Sequence, residues 1–214
     1  MSEEVVFYHN PMSRARMVHW MLEEIAVPYR IELVSFDKGD NKKPAFLAVN
    51  PMGKLPAIVH RATTITECGA IITYLADAFP AAKLAPAIGE AARGTYLRWM
   101  FFGQGCIDSA LIDRMLSRPP VDKPAALGYG SYDDVLHALE MALTPGPYIL
   151  GERFSAVDVY LGLQVGFGLM TKSLEPRPIF LSYVALLAQR PAFKRCNEQG
   201  DQLVARAKAQ ATVA

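Results

Sequence analysis

Cysteine is too scarce in this chain to hold it together. Cys68, Cys106 and Cys196 are the only three, an odd number far apart in sequence with no Cys-x-x-Cys pair, which excludes a disulfide scaffold and a zinc ribbon. Histidine supplies no substitute: His9, His19, His60 and His137 show neither metal nor triad spacing, so no metal site is expected. Charge of one sign is missing too. Lys and Arg total 22 against 21 Asp and Glu, a formal +1, so no net field draws in nucleic acid or an anionic membrane. A long apolar run is also absent, since the most apolar late stretch, Val157 to Met170, is broken by Asp158 and Gln164 and is too short to span a bilayer. The start, Ser2-Glu3-Glu4 and then a short apolar run, lacks the basic opening of a signal peptide. The expectation is a soluble cytoplasmic protein in a reducing compartment.

What is present is enough apolar material for a sizeable core, 51% of 214 residues, a length that permits two domains. Val5 to Tyr8 reads as a strand closed by the turn Asn10-Pro11. From Ser13 the positions Met17, Val18, Met21, Leu22 and Ile25 recur at helical spacing, and Val27-Pro28 ends that helix. A second strand is expected at Tyr29 to Val34, a short helix at most over Pro44 to Val49, and a turn at Asn50-Pro51-Met52-Gly53-Lys54. Strands at Leu55 to His60 and Thr63 to Ile65 follow, then a helix from Glu67 to Phe79 with Pro80 as terminator. Strand, helix, strand, short helix, strand, strand, helix is a complete α/β layer unit.

The pattern then changes. Ala81 to Gly89 reads as a linker, and no convincing strand follows it. Long helical periodicity covers Gly89 to Leu116, Tyr132 to Leu143, Ser155 to Met170, Ile179 to Arg190 and Phe193 to Lys208. Residues 1–80 are thus expected to form an α/β domain, 81–89 a linker and 90–214 an all-α domain. Ser155-x-x-Asp158 is a capping box, with Phe154 and Val159 placed for a hydrophobic staple.

Asn50-Pro-Met-Gly-Lys-Leu-Pro-Ala-Ile-Val followed by Thr66-Glu-Cys-Gly-Ala-Ile resembles the cytosolic glutathione S-transferases. Tyr8 to Tyr29 is similar to their first strand and helix, and Phe154-Ser-Ala-Val-Asp-Val to their helix-start motif in the second domain. The resemblance covers nearly the whole chain. It implies a thioredoxin-like N-terminal domain that binds glutathione as cosubstrate, a helical C-terminal domain with an apolar pocket for a small electrophile, and a homodimer.

Residue by residue, the resemblance implies a cis peptide before Pro56, with the Leu55 backbone turned outward to pair with the cysteinyl amide of a tripeptide. Lys54 would meet a glutathione carboxylate. Glu67, at the start of a helix, would receive the γ-glutamyl ammonium, and Cys68 would bind the α-carboxylate through its N–H. The family normally has serine there, and a thiol is a weaker donor than a hydroxyl. Two hydroxyls compete to hold the glutathione thiolate. Ser13 resembles the serine of the theta-like and phi-like classes and is preferred; Tyr8, with Arg14 and Trp20, fits the spacing of the alpha-like class. Trp99, Phe102 and Cys106 are expected to line the substrate pocket on the long helix. Without turnover, the same fold would be a binding or scaffold protein. A thiol oxidoreductase would call for a cysteine in Asn10 to Arg16, and there is none.

Overall fold

The computed structural model describes residues 4–119 and 121–213. By packing, the chain divides into two compact units, Met1–Ala82 with Arg190–Ala214, and Lys83–Gln189.

The first unit is built on a four-stranded mixed sheet of order β2-β1-β3-β4, with β1 at Val5–His9, β2 at Tyr29–Leu33, β3 at Ala57–His60 and β4 at Thr63–Thr66. β1 runs parallel to β2 and antiparallel to β3, and β3 is antiparallel to β4. Alternation in β1 buries Val5, Phe7 and His9 fully and leaves Val6 and Tyr8 half-buried, as a pleated strand with unequal faces requires. Helix α1, Ala15–Ile25, ends on Ala26 in the left-handed region, whose N–H bonds to the Leu22 carbonyl at 3.0 Å. Helix α2 is a single turn at Pro44–Leu47, and α3 spans Cys68–Ala78.

One face of α1 does not account for its burial. Met17, Val18, Met21, Leu22 and Ile25 are buried as their spacing predicts, but so are Ala15, His19 and Trp20. The reason is the last helix, α9 at Pro191–Val213, which returns from the helical half of the sequence and covers the outer side of α1. Arg190 makes a two-toothed bond to Glu24, Nε to Oε1 at 2.7 Å and Nη2 to Oε2 at 2.8 Å. The Trp20 ring meets Phe193 edge-on at 5.0 Å and its Nε1–H donates to Glu24 at 2.8 Å. The expected all-α domain of residues 90–214 therefore divides by packing, residues 190–214 going with the α/β unit. Amphipathic spacing reports which side of a helix is apolar, not which unit it faces.

The second unit holds the remaining helices: α4 at Ala92–Phe102, α5 at Asp108–Met115, α6 at Tyr132–Leu143, α7 at Ala156–Met170 and α8 at Pro178–Leu187. α4 and α5 form one helical run interrupted by a π turn at Gly103–Ile107. A Cβ on Gly103 would lie 2.5 Å from Leu161 Cδ2, so a larger residue there would displace side chains of α7. The π turn is held from α7, where Gln164 Nε2 donates to the Gly103 carbonyl at 3.0 Å and the Tyr160 hydroxyl donates to Gln104 Oε1 at 2.7 Å.

Asp158 does more than close its own helix. Its Oδ2 accepts the Ser155 N–H at 2.8 Å and the Ser155 hydroxyl at 3.1 Å, while Oδ1 accepts the Ile149 N–H at 2.9 Å and the Tyr183 hydroxyl at 3.0 Å. Burial pushes its carboxyl pKa upward, and these four donors oppose that shift. Asp158→Ala leaves the Ile149 and Ser155 N–H groups and the Tyr183 hydroxyl without their acceptor, each worth about 1–3 kcal/mol. Unfolding in urea is expected to show a loss of about 3 kcal/mol or more for Asp158→Ala and about 1 kcal/mol for Ser155→Ala, which removes only the hydroxyl's part in the capping box. Equal losses for the two would contradict this account.

Candidate functional site

Strand register brings the candidate residues of the first unit to one place. Ala57, the first residue of β3, pairs with Tyr8 on one side and with Thr66 on the other. The chain leaving β1, the chain entering β3 and the chain leaving β4 therefore meet at the same end of the sheet. These segments are Asn10 to Arg14, Lys54 to Pro56, and Glu67 with Cys68.

The first segment is organised by Asn10. Its Oδ1 accepts the Met12 N–H at 2.9 Å, its carbonyl accepts the Ser13 N–H at 3.1 Å, and its Nδ2 donates to the Val34 carbonyl at 2.9 Å. Ser13 follows, just ahead of α1. Its Oγ accepts the Ala15 N–H at 3.1 Å and donates its proton to the Asn10 carbonyl at 2.8 Å. To serve an incoming anion the hydroxyl must turn from that carbonyl while keeping the Ala15 bond. A neutral hydrogen bond contributes about 0.5–1.5 kcal/mol and one to a charged group about 1.5–3, so an anion wins the proton. Tyr8 lies on β1 itself. It alternates with Phe7 and His9 on β1, and its ring rests 5.7 Å from Phe46 of α2, whereas His9 on the other face lies 5.0 Å from His19 of α1.

The second segment repeats the first turn almost atom for atom. Asn50 Oδ1 accepts the Met52 N–H at 3.1 Å, its carbonyl accepts the Gly53 N–H at 2.8 Å, and its Nδ2 donates to the Lys54 carbonyl at 2.8 Å. Lys54 is exposed and Leu55 half-buried. The Leu55–Pro56 peptide is cis, as the resemblance implies. Neither the N–H nor the C=O of Leu55 makes a hydrogen bond among the described residues.

At the third segment Glu67 precedes α3 with φ 68° and ψ 124°, outside the helical region, and no side chain caps the helix. α1 likewise starts without a side chain of its own N-cap residue, Arg14, bonding to it. The Cys68 thiol points to α1, donating to the Arg14 carbonyl at 3.8 Å. That contact joins the starts of the two helices. Two positive dipole ends side by side favour an anion.

Trp99, Phe102 and Cys106 belong to the second unit. Trp99 is only 5% exposed, its ring edge-on to Phe102 at 5.1 Å and covered by the Arg98 guanidinium at 4.6 Å. Phe102 and Cys106 keep exposed surface. The Cys106 thiol donates to the Gly128 carbonyl at 3.7 Å, and burial raises its pKa. Asn10 and Asn50 as organisers went unread in the sequence beyond their turns, although the repeated tripeptide Asn-Pro-Met was a visible signal.

A thioredoxin-like mixed sheet followed by a helical unit, with helix starts gathered at one sheet end, defines the class, and comparison with known proteins agrees. Residues 11–78 match the family model of the glutathione S-transferase N-terminal domain. Over that segment the chain is similar to the glutathione S-transferases. It is 29% identical to glutathione S-transferase 3 of Zea mays, covering 82% of this chain and 84% of that one. It is 24% identical to glutathione S-transferase 3 of Schizosaccharomyces pombe over 91% and 87% of the two chains. The sphingomonad glutathione S-transferase solved in complex with glutathione superposes with a TM-score of 0.75 at 28% identity, covering 92% of this chain and 98% of that one. Among the described residues no group of His, Cys, Asp or Glu side chains is placed to hold a metal, and no helix is long and apolar enough to cross a membrane.

The turn at Gly53 offers a local check. Gly53 has φ +63° and an added Cβ would lie 2.6 Å from the Asn41 carbonyl, whereas Gly39, at φ +64°, has nothing within 4 Å. Left-handed backbone costs a non-glycine residue about 1–2 kcal/mol. Gly39→Ala should lose that much in thermal or urea unfolding, and Gly53→Ala distinctly more.

Proposed function

We propose that the chain is a glutathione transferase that holds glutathione as its thiolate and delivers it to a small apolar electrophile. The observation that carries this reading is the meeting of the three segments at the β1–β3–β4 end, with the starts of α1 and α3 joined through Cys68 and Arg14.

In this reading Glu67 receives the γ-glutamyl ammonium, and the Cys68 N–H at the start of α3 takes the α-carboxylate. The Leu55 N–H and C=O pair with the cysteinyl residue as an added strand, and Lys54 meets the remaining carboxylate. Ser13 donates to the sulfur. A free cysteine thiol titrates near 8.5, and lowering that by two units takes about 2.7 kcal/mol of preferential thiolate stabilisation. One hydrogen bond to the charged sulfur contributes about 1.5–3 kcal/mol and the start of a helix about 0.3–1 more. Ser13 with α1 behind it is sufficient. The hydroxyl acts as a donor and not as a nucleophile, since no base is arranged to activate it. Proximity of the held thiolate to the electrophile supplies the rest of the rate.

Phe102 and Cys106 of the helical unit are the apolar residues that take the electrophile, with Trp99 packed edge-on against Phe102. Conjugation is the primary reaction and peroxide reduction a second outlet for the same thiolate. The working form is a homodimer in the cytoplasm. A second reading, a glutathione-binding or scaffold protein without turnover, is favoured by one feature: the Ser13 proton already has an acceptor in Asn10.

Two measurements separate the readings. Conjugation of a generic aryl halide is assayed alongside retention on immobilised glutathione: turnover with retention supports the transferase, retention alone the binding protein, and no retention removes glutathione from both. For the thiolate donor, Ser13→Ala should lower kcat/KM on the order of 10- to 100-fold, the worth of one charged hydrogen bond, and Tyr8→Phe should change it little. A large fall for Tyr8→Phe alone would reverse the assignment.

A further inference from the structure

Behind the site, α9 is fastened to α1 largely through polar groups. Arg16 Nη2 donates to Asn197 at 2.7 Å, Arg195 Nε to Glu23 at 2.7 Å, and Cys196 Sγ to the Arg16 carbonyl at 3.8 Å. At the centre of the seam lies His19. Its Nε2 is 2.8 Å from Gln199 Oε1 and 3.1 Å from the Tyr29 hydroxyl, which itself donates to Glu23 at 2.6 Å. Gln199 Nε2 faces the Glu23 carboxylate at 3.3 Å, a group that only accepts. The amide orientation is thereby set, its oxygen faces His19, and His19 must carry its proton on Nε2. Nδ1 is left bare.

Neither His19 Nδ1 nor either ring nitrogen of His9 has a hydrogen-bond partner among the described residues, and both imidazoles are fully buried. The rings meet edge-on at 5.0 Å, with Phe7 4.8 Å from His9 and 6.0 Å from His19. A second proton on either ring has no acceptor and adds a charge beside Arg16. Glu23 is the one carboxylate that counters it at His19. Burial, then the neighbouring His19 and Arg16, push the His9 pKa down to about 3, and burial lowers that of His19.

We propose that His9 and His19 form a buried pH latch, which keeps α9 docked on the first unit while both are neutral and loosens it as the surroundings turn mildly acidic. Undocking α9 removes Gln199 from His19 and opens that ring to water, where it titrates at its ordinary value near 6.5. The sign follows: a histidine held neutral in the docked state contributes stability above that value and loses it as pH falls below. The other groups facing the pair titrate elsewhere. Against its burial, Glu23 is pulled down by Tyr29, Arg195 and Gln199, Tyr29 is raised by burial and Glu23, and burial pushes the Cys196 thiol up to about 12. From pH 7.5 to 5.5 one such histidine raises the opening constant of α9 about tenfold.

Hydrogen exchange of the full-length protein, corrected for the intrinsic pH dependence of exchange, tests this. Between pH 7.5 and 5.5 the protection of amides in residues 194–206 should fall about tenfold, while α3 and α7 change by less than twofold. His19→Gln keeps a donor for Gln199 but cannot titrate, and should abolish the fall. His9→Phe, which replaces an unpartnered ring with an apolar one, should raise α9 protection at acidic pH. An unchanged tenfold fall in His19→Gln overturns the latch, as does a wild-type fall shared equally by α3 and α7. Should His19→Gln not fold, nitrogen chemical shifts of the wild-type ring decide: an Nε2–H, neutral His19 at pH 5.5 in the docked state supports the latch, and a protonated ring overturns it.

Discussion

The pairing of Ala57 with both Tyr8 and Thr66 is the constraint on which the rest depends. A strand's register is a count, and a slip of one residue would turn every side chain of β3 to the opposite face. With the count as it stands, three separate stretches of chain end or begin at one line across the sheet. None of them is long, and none forms a site alone. The adjacency of Ser13, Leu55 and Glu67 is a property of the ladder, which is why residues spread over more than fifty positions come to one end of the sheet.

Rigidity around that line comes from two small turns and a thiol. The side chains of Asn10 and Asn50 each satisfy backbone groups that a tight turn would otherwise leave exposed, so the segments after them have little freedom. Cys68 links the first residues of two helices. Its sulfur, which by resemblance to the family stands where a ligand-binding hydroxyl normally does, has an architectural partner here.

Much of this was legible beforehand, for reasons that can be named. Met17, Val18, Met21, Leu22 and Ile25 betray a helix because an apolar stripe has a period, and Val27-Pro28 stops it because proline cannot continue one. Glu67 and Cys68 stand out because they open an apolar helix. What could not be read was whatever depended on distant parts of the chain meeting. His19 looks like an ordinary helix residue until Gln199 is known to lie against it, and Glu23 and Glu24 look like a solvated face until Arg195 and Arg190 arrive. Asp158 was read as a local cap, and its bonds to Ile149 and Tyr183 come from other parts of its unit. Hydrophobic spacing from Gly89 predicts an unbroken helix because a π turn leaves no signature in it.

That π turn has a geometric consequence. A turn closed by i→i+5 bonds contains one residue more than an α turn, and each residue advances a helix by about 100° around its axis. Everything from Asp108 to Met115 is consequently rotated by nearly a third of a circle from where a steady count from Ala92 would put it. Gly103–Ile107 acts as a phase shifter, allowing the two halves of one helical run to show different faces to their neighbours without a proline.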